Sequence, residues 1–156
     1  MDERRRIVTV FLDEESLGGA TPHAEHERTA AVFDLVEENH FVPANGALGP
    51  FILRLSEREN RLIFDVRDEA DQPCFDFSIP MATFRSIVRD YQIVCGSYYE
   101  SIRSGTPSRI QAIDMGRRGL HNEGAEMLQE RIAPHVEIDR DTARRLFTLL
   151  CVLHTR

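Results

Sequence analysis

Between Phe51 and Ile79 the chain alternates apolar and polar residues in three successive segments, and this period of two constrains the fold more than any other feature. Phe51, Leu53 and Leu55 alternate with Ile52, Arg54 and Ser56; Leu62, Phe64 and Val66 with Ile63, Asp65 and Arg67; Phe75, Phe77 and Ile79 with Cys74, Asp76 and Ser78. Neighbouring side chains of a strand point to opposite faces, so segments 51–56, 61–67 and 74–79 each present one greasier face. Polar stretches at 57–60 and 69–73 join them as turns. The pattern predicts an antiparallel meander whose apolar face needs a layer of helices to cover it.

The helices are equally legible. Pro80 is expected to open the longest one, running to about Ser104, with Phe84, Ile87, Val88, Tyr91, Val94, Cys95, Tyr98 and Ile102 repeating every three or four residues. Gly105 stops it. Thr106-Pro107 then begins another: Thr caps free amides, and Pro at the first helical position gives up no needed donor. This helix runs to about Ile132 and ends before Pro134. Thr21-Pro22 repeats the cap at the head of a helix reaching about Asn39, which buries Ala31, Val32, Leu35 and Val36. Residues 6–12 read as a strand that is apolar on both faces and so interior to a sheet or covered on both sides. Residues 13–20, with Gly18 and Gly19, and 41–50, with two Pro and two Gly, read as loops. Residues 136–139 suit a short strand or an extended link. Asp139 or Asp141 caps a last helix that is apolar almost all round from Leu146 to Leu153, as a central helix is. The class is α+β: a small, mainly antiparallel sheet of three to five strands packed against about four helices, in a single globular domain over 1–156.

Composition sets the chemical limits. At 156 residues and 42% hydrophobic content the chain can bury a core without disulfides or a structural metal. All 19 of its basic residues are arginine. The absence of lysine removes Schiff-base chemistry, pyridoxal-phosphate attachment, a phosphate-loop lysine and a lysine general base. A net charge of −7 argues against a broad nucleic-acid surface but leaves room for a local arginine patch. Cys74, Cys95 and Cys151 are odd in number and lie in hydrophobic contexts without a Cys-x-x-Cys spacing. They read as buried, reduced thiols of a cytoplasmic protein. No apolar run approaches the length of a membrane span, and the start is not that of a signal peptide. No cofactor is expected.

The candidate site is the stretch Asp114-Met-Gly-Arg-Arg-Gly-Leu-His-Asn-Glu-Gly124. Each interior glycine costs a helix roughly 1 kcal/mol against alanine, so Gly116, Gly119 and Gly124 call for close packing, a break or a ligand. On a helical projection Ile110, Ile113, Leu120 and Met127 share an apolar arc with Gly116 and Gly124, which favours a neighbouring helix crossing closely. Arg117 lies at the border of that arc, while Arg118, Asn122 and Ala125 fall towards solvent. Arg117, Arg118, His121 and Asn122 form a candidate anion-binding set, oriented by Asp114 or Glu123, because guanidinium grips phosphate or carboxylate in a bidentate way. The competing explanation is an internal pair of Asp114 with Arg117 or Arg118, worth a few tenths of a kcal/mol when exposed. His23, His26 and Glu27 are weaker candidates for a metal, since their spacing matches no established ligand motif. Ser97 lacks the flanks of a catalytic nucleophile, Tyr98 and Tyr99 straddle a core edge, and Arg144 and Arg145 read as a solvated or acid-paired helix edge. Gly18-Gly19 is too short to cradle a phosphate.

Several segments taken in order carry a resemblance. They are the first strand; Thr21-Pro-His-Ala-Glu-His-Glu-Arg28; Asp90-Tyr91 and Ser97-Tyr98-Tyr99; Thr106-Pro-Ser108; Ala112-Ile-Asp-Met-Gly-Arg-Arg-Gly-Leu-His-Asn-Glu-Gly124; and the tail from Asp141-Thr-Ala-Arg-Arg-Leu-Phe-Thr148 to His154. Over almost its whole length the chain resembles the uncharacterised alphaproteobacterial protein family 0262 (UPF series). The resemblance implies a small bacterial cytosolic protein of unknown function and brings no catalytic residues. The first functional reading is a non-enzymatic interaction or regulatory module, homodimeric through its helical apolar faces. The alternative is an enzyme or binding protein for a small phosphate- or carboxylate-bearing molecule at Arg117, Arg118, His121 and Asn122. Metal-dependent hydrolysis at His23, His26 and Glu27 is a third. What separates them is whether the arginines and His121 converge in one water-accessible pocket, alone or with His23, His26 or Glu27.

Overall fold

The computed structural model describes residues 3–13 and 22–153, without the side chains of 22–24. The expected Thr21 cap, the 13–20 loop beyond Asp13, the Gly18-Gly19 pair and the tail at His154 lie outside the described residues. After a short 3-10 turn at Glu3–Arg5 the elements run β1 (Ile7–Leu12), α1 (Pro22–Glu37), β2 (Phe41–Pro43), β3 (Phe51–Arg58), β4 (Arg61–Arg67) and β5 (Pro73–Pro80). Then come α2 (Ala82–Ser104), α3 (Pro107–Ile132), β6 (Val136–Ile138) and α4 (Arg140–Leu153). The fold is α+β.

The meander forms as its alternation dictates. β3, β4 and β5 pair antiparallel, with Leu53 opposite Val66 and Phe64 opposite Phe77. Glu59 and Asn60 join β3 to β4 as a two-residue turn, both at positive φ (52° and 62°), as the right-handed twist of a tight hairpin requires. Phe51, Leu53, Leu55, Leu62, Phe64, Val66, Phe77 and Ile79 are all buried on one face.

β1 departs from expectation. It is the edge strand, in the order β1-β3-β4-β5, and runs parallel to β3, which makes the sheet mixed. α1 packs against β1, and Phe11 stays 45% exposed beside the Arg54 guanidinium, so the strand is neither interior nor covered on both sides. Asn39, just past α1, holds this junction: its Oδ1 accepts from the Ile7 amide at 2.7 Å and its Nδ2 donates to the carbonyls of Ile7 and Leu35 at 2.9 and 2.8 Å. Each such buried group would cost about 1–3 kcal/mol if left unpaired.

A second correction concerns 41–50. Its first three residues are not loop but β2, which pairs antiparallel with β6 some 93 residues later. Pro80 closes β5 instead of opening a helix, and Met81 stands at the head of α2. The longest helix is α3, at 26 residues against 23 for α2. Thr106 caps α3 as expected, accepting from the Arg109 amide at 3.3 Å. Asp139 caps α4, accepting from the Thr142 amide at 2.8 Å.

α4 is the hub of the core. Eight of its fourteen residues are buried, and Leu146, Leu149, Leu150 and Leu153 meet Leu55, Leu62 and Phe64 of the sheet and Leu128 of α3. At 1.5–3 kcal/mol for each fully buried large apolar side chain, these leucines are a main anchor of the helical layer on the sheet.

α2 and α3 pack on each other as an antiparallel hairpin, but only its base joins this core. Phe84, Ile87 and Val88 are buried at the start of α2, and Gly124, Ala125, Leu128 and Ile132 at the end of α3. Towards the tip the apolar stripe continues into water, with Ile102 53% and Met115 67% exposed.

Candidate functional site

The site forms where α3 leaves the body. His121, Ala125, Leu128 and Ile132 recur at helical spacing on one stripe of α3, and His121 is the first residue of that stripe beyond the apolar core. This stripe is rotated from the arc expected: Ile110, Ile113, Leu120 and Met127 are only half-buried, whereas Ala125, assigned to solvent, is buried and Asn122 half-buried. The glycine at position 124 sets the rotation. A Cβ there would overlap the Phe147 ring, so α4 approaches α3 at the one point where the side chain is missing. Gly116 and Gly119 face open space and serve no close crossing.

His121 sits between the rings of Tyr91 and Phe147, each centroid 5.3 Å away. Its Nε2 lies 2.8 Å from Thr148 Oγ1, and that hydroxyl donates to the Arg144 carbonyl one turn back at 3.1 Å. The tautomer that satisfies both contacts at once has the Thr148 hydrogen on the Arg144 carbonyl and the ring hydrogen on Nε2, donating to Thr148. Nδ1 is then a lone-pair acceptor, and it is buried without a partner. Burial, and after it the charges of Arg144 and Arg117, push the His121 pKa down to about 4, so the ring is neutral at neutral pH. Asn122 Oδ1 is a second buried acceptor without a partner.

Around these acceptors stand four arginines. A cleft of about 530 Å³ is lined by Arg117, Arg118, His121 and Asn122 of α3, Arg144, Arg145 and Thr148 of α4, and Tyr91 of α2. Arg117 is fixed by Asp114, with Nε 3.2 Å from Oδ1, and its guanidinium lies 4.7 Å above the Tyr98 ring. Arg118 meets the other Asp114 oxygen at 2.8 Å. The Arg117 hydrogen bond, with the charge of Arg118, holds the Asp114 carboxyl below the usual carboxylate range. Arg145 is 3.7 Å from Glu38, and Arg144 has no ion-pair partner among the described residues. Four guanidiniums against two carboxylates leave two positive charges uncompensated on a chain of net charge −7.

Four of the six candidate residues for an anion therefore come together, and Asp114 stands behind them as their orienting acid. Glu123 points to solvent on another side of α3. Among the metal candidates the His23 side chain lies outside the described residues, His26 is exposed and Glu27 half-buried, and neither His26 nor Glu27 lines the cleft. Among the described residues no three His, Cys, Asp or Glu side chains gather as a metal group. Ser97 is exposed on α2, and of the tyrosines Tyr98 supports Arg117 while Tyr99 is exposed. Cys151 is buried, but Cys74 and Cys95 are only half-buried, against expectation; all three are free thiols.

Comparison with known proteins agrees in extent and in kind. The model of Uncharacterised protein family UPF0262 matches residues 4–156. The chain belongs to this family. A UPF0262 protein of Nitrobacter hamburgensis is 53% identical over 153 residues, covering 98% of this chain and 93% of the relative. One from Hyphomonas neptunium is 52% identical over 149 residues, covering 96% and 92%, and one from Paramagnetospirillum magneticum 49% identical over 156, covering 100% and 99%. No solved structure matches the chain. The family's description assigns no ligand or reaction to its members, so the chemistry of this UPF0262 chain rests on its own side chains.

The residues that sequence reasoning missed are Arg144, Arg145, Thr148 and Tyr91. A signal was present: each of two helices carries an Arg pair, and the residue four after the first Arg is polar in both, His121 and Thr148. Those two residues bond to each other across the helices. Among the described residues no helix is long and apolar enough to cross a membrane.

Proposed function

We propose that this protein binds a small anionic molecule, phosphate- or carboxylate-bearing, in the cleft between α3 and α4. The observation that carries the reading is the charge imbalance of the lining: four arginines from two helices, with no carboxylate among the lining residues. Guanidinium groups offer planar, bidentate donors matched to an oxyanion. Asp114 and the Tyr98 ring hold Arg117 in place beforehand, which lowers the ordering cost of binding. A neutral His121 tied to Thr148 suits recognition better than proton transfer, so the reading is of a binding module and not of an enzyme. Titration calorimetry with methyl phosphate at low ionic strength tests it. Wild-type protein should bind saturably and Arg144→Gln at least tenfold more weakly with unchanged melting temperature; no binding at millimolar ligand, or an unaffected variant, contradicts it.

A second reading concerns assembly. The α2 stripe outlasts the core, leaving Ile102 and Tyr99 53% and 68% exposed, which favours a homodimer formed through the hairpin tip. Light scattering at micromolar concentration should give twice the monomer mass, and a strict monomer would sink the dimer without touching the anion site.

A further inference from the structure

Resting on that anion-binding reading, we infer that the ligand is a phosphorylated polyhydroxy compound, its phosphate held by the arginines and its hydroxyl hydrogens taken by His121 Nδ1 and Asn122 Oδ1. A cleft made only to hold an oxyanion needs donors. This one holds two acceptors as well, adjacent in sequence and both without a partner. A sulfate, or a phosphomonoester dianion without hydroxyl groups, would set lone pairs against lone pairs there. A ligand with hydroxyl groups beside its phosphate supplies the missing hydrogens, and each such bond recovers part of the cost of a buried, unmet acceptor.

Keeping both contacts of Thr148 decides which His121 nitrogen accepts. Thr148 gives its hydrogen to the Arg144 carbonyl, so His121 uses its own hydrogen on Thr148 and turns a lone pair to the other side. Volume points the same way: about 530 Å³ exceeds what a lone phosphate fills and lies in the range of small-molecule pockets. Both acceptors lie beneath the lining surface, so binding includes a movement.

The test compares glycerol phosphate with methyl phosphate by titration calorimetry on the full chain. Both are phosphomonoesters of similar charge, and only the first carries hydroxyls. Glycerol phosphate should bind at least fivefold more tightly, and the preference should fall below twofold in Asn122→Ala and in His121→Phe. The two variants remove one acceptor each, so loss of folding in one leaves the other to decide. Equal binding of the two esters by wild-type protein, or a preference that survives in a folded variant, overturns the hydroxyl inference and leaves the anion site standing. Binding of neither ester overturns both.

Discussion

The two halves of α3 present opposite solutions to the same helical problem. From Gly124 to Ile132 the helix is part of the core, with Gly124, Ala125, Leu128 and Ile132 buried against α4 and the sheet. From Asp114 to Leu120 it leaves the core, with Leu120 at its edge, and its charges are answered locally by Asp114 and the Tyr98 ring. The glycines show the contrast most sharply. Gly124 is required because Phe147 occupies the space of its side chain; Gly116 and Gly119 face open space. A glycine or an arginine on α3 takes its role from which side of His121 it stands on. At that boundary apolar packing gives out and a positive cleft begins.

The largest test of this boundary is Gly124→Ala. Overpacking a filled core costs about 1–3 kcal/mol and more when a ring cannot yield, against a gain of roughly 1 kcal/mol in helix propensity. Urea unfolding should show a net loss of about 2 kcal/mol. A neutral result would mean that α4 is not seated on Gly124.

His121 comes next. Unfolded, its ring takes a proton near pH 6.5; folded, near 4. Between those values the unfolded chain binds the proton and the native one does not. Stability attributable to this residue is therefore complete above about pH 6.5 and is lost as pH falls towards 4, by on the order of 2 kcal/mol. Subtracting the pH–stability curve of His121→Phe should isolate that slope. A parallel pair of curves would place the ring in water.

The smallest effect is on the outer half. Gly116→Ala and Gly119→Ala should each stabilise the protein by about 0.5–1 kcal/mol, the opposite sign to Gly124→Ala. Destabilisation at either would show that the hairpin tip carries a close contact, as a dimer there would make.

Much of the fold was legible because its signals are local. Alternation at Phe51, Leu53 and Leu55 set the meander, and Thr106-Pro107 and Asp139 set two helix starts, each within a few residues of the structure they cause. What was not legible depends on residues far apart. Phe41 and Ile138 give no sign of each other, and although 136–139 suggested a short strand, its three-residue partner at 41–43 carried too little pattern to be read. β1 looked interior because its residues are apolar at successive positions, yet at the sheet edge Phe11 is left 45% exposed. At the site, Arg117, Arg118, His121 and Asn122 could be named from one helix. Arg144 and Arg145 looked like an ordinary charged edge until α4 was laid against α3, and only that juxtaposition turns two harmless pairs into an imbalance. The rotation of α3 that buries Ala125 was hidden for the same reason, since Gly124 is chosen by Phe147 and not by its neighbours.

Anion binding at the seam of α3 and α4 is best tested by an NMR titration of labelled protein with methyl phosphate. Backbone and arginine side-chain resonances of 117–122 and 144–148 should move together and saturate, while those of the paired Arg54 and Arg67 on the sheet face stay still. Shifts spread evenly over the arginines of the surface, or none at the seam, would contradict it.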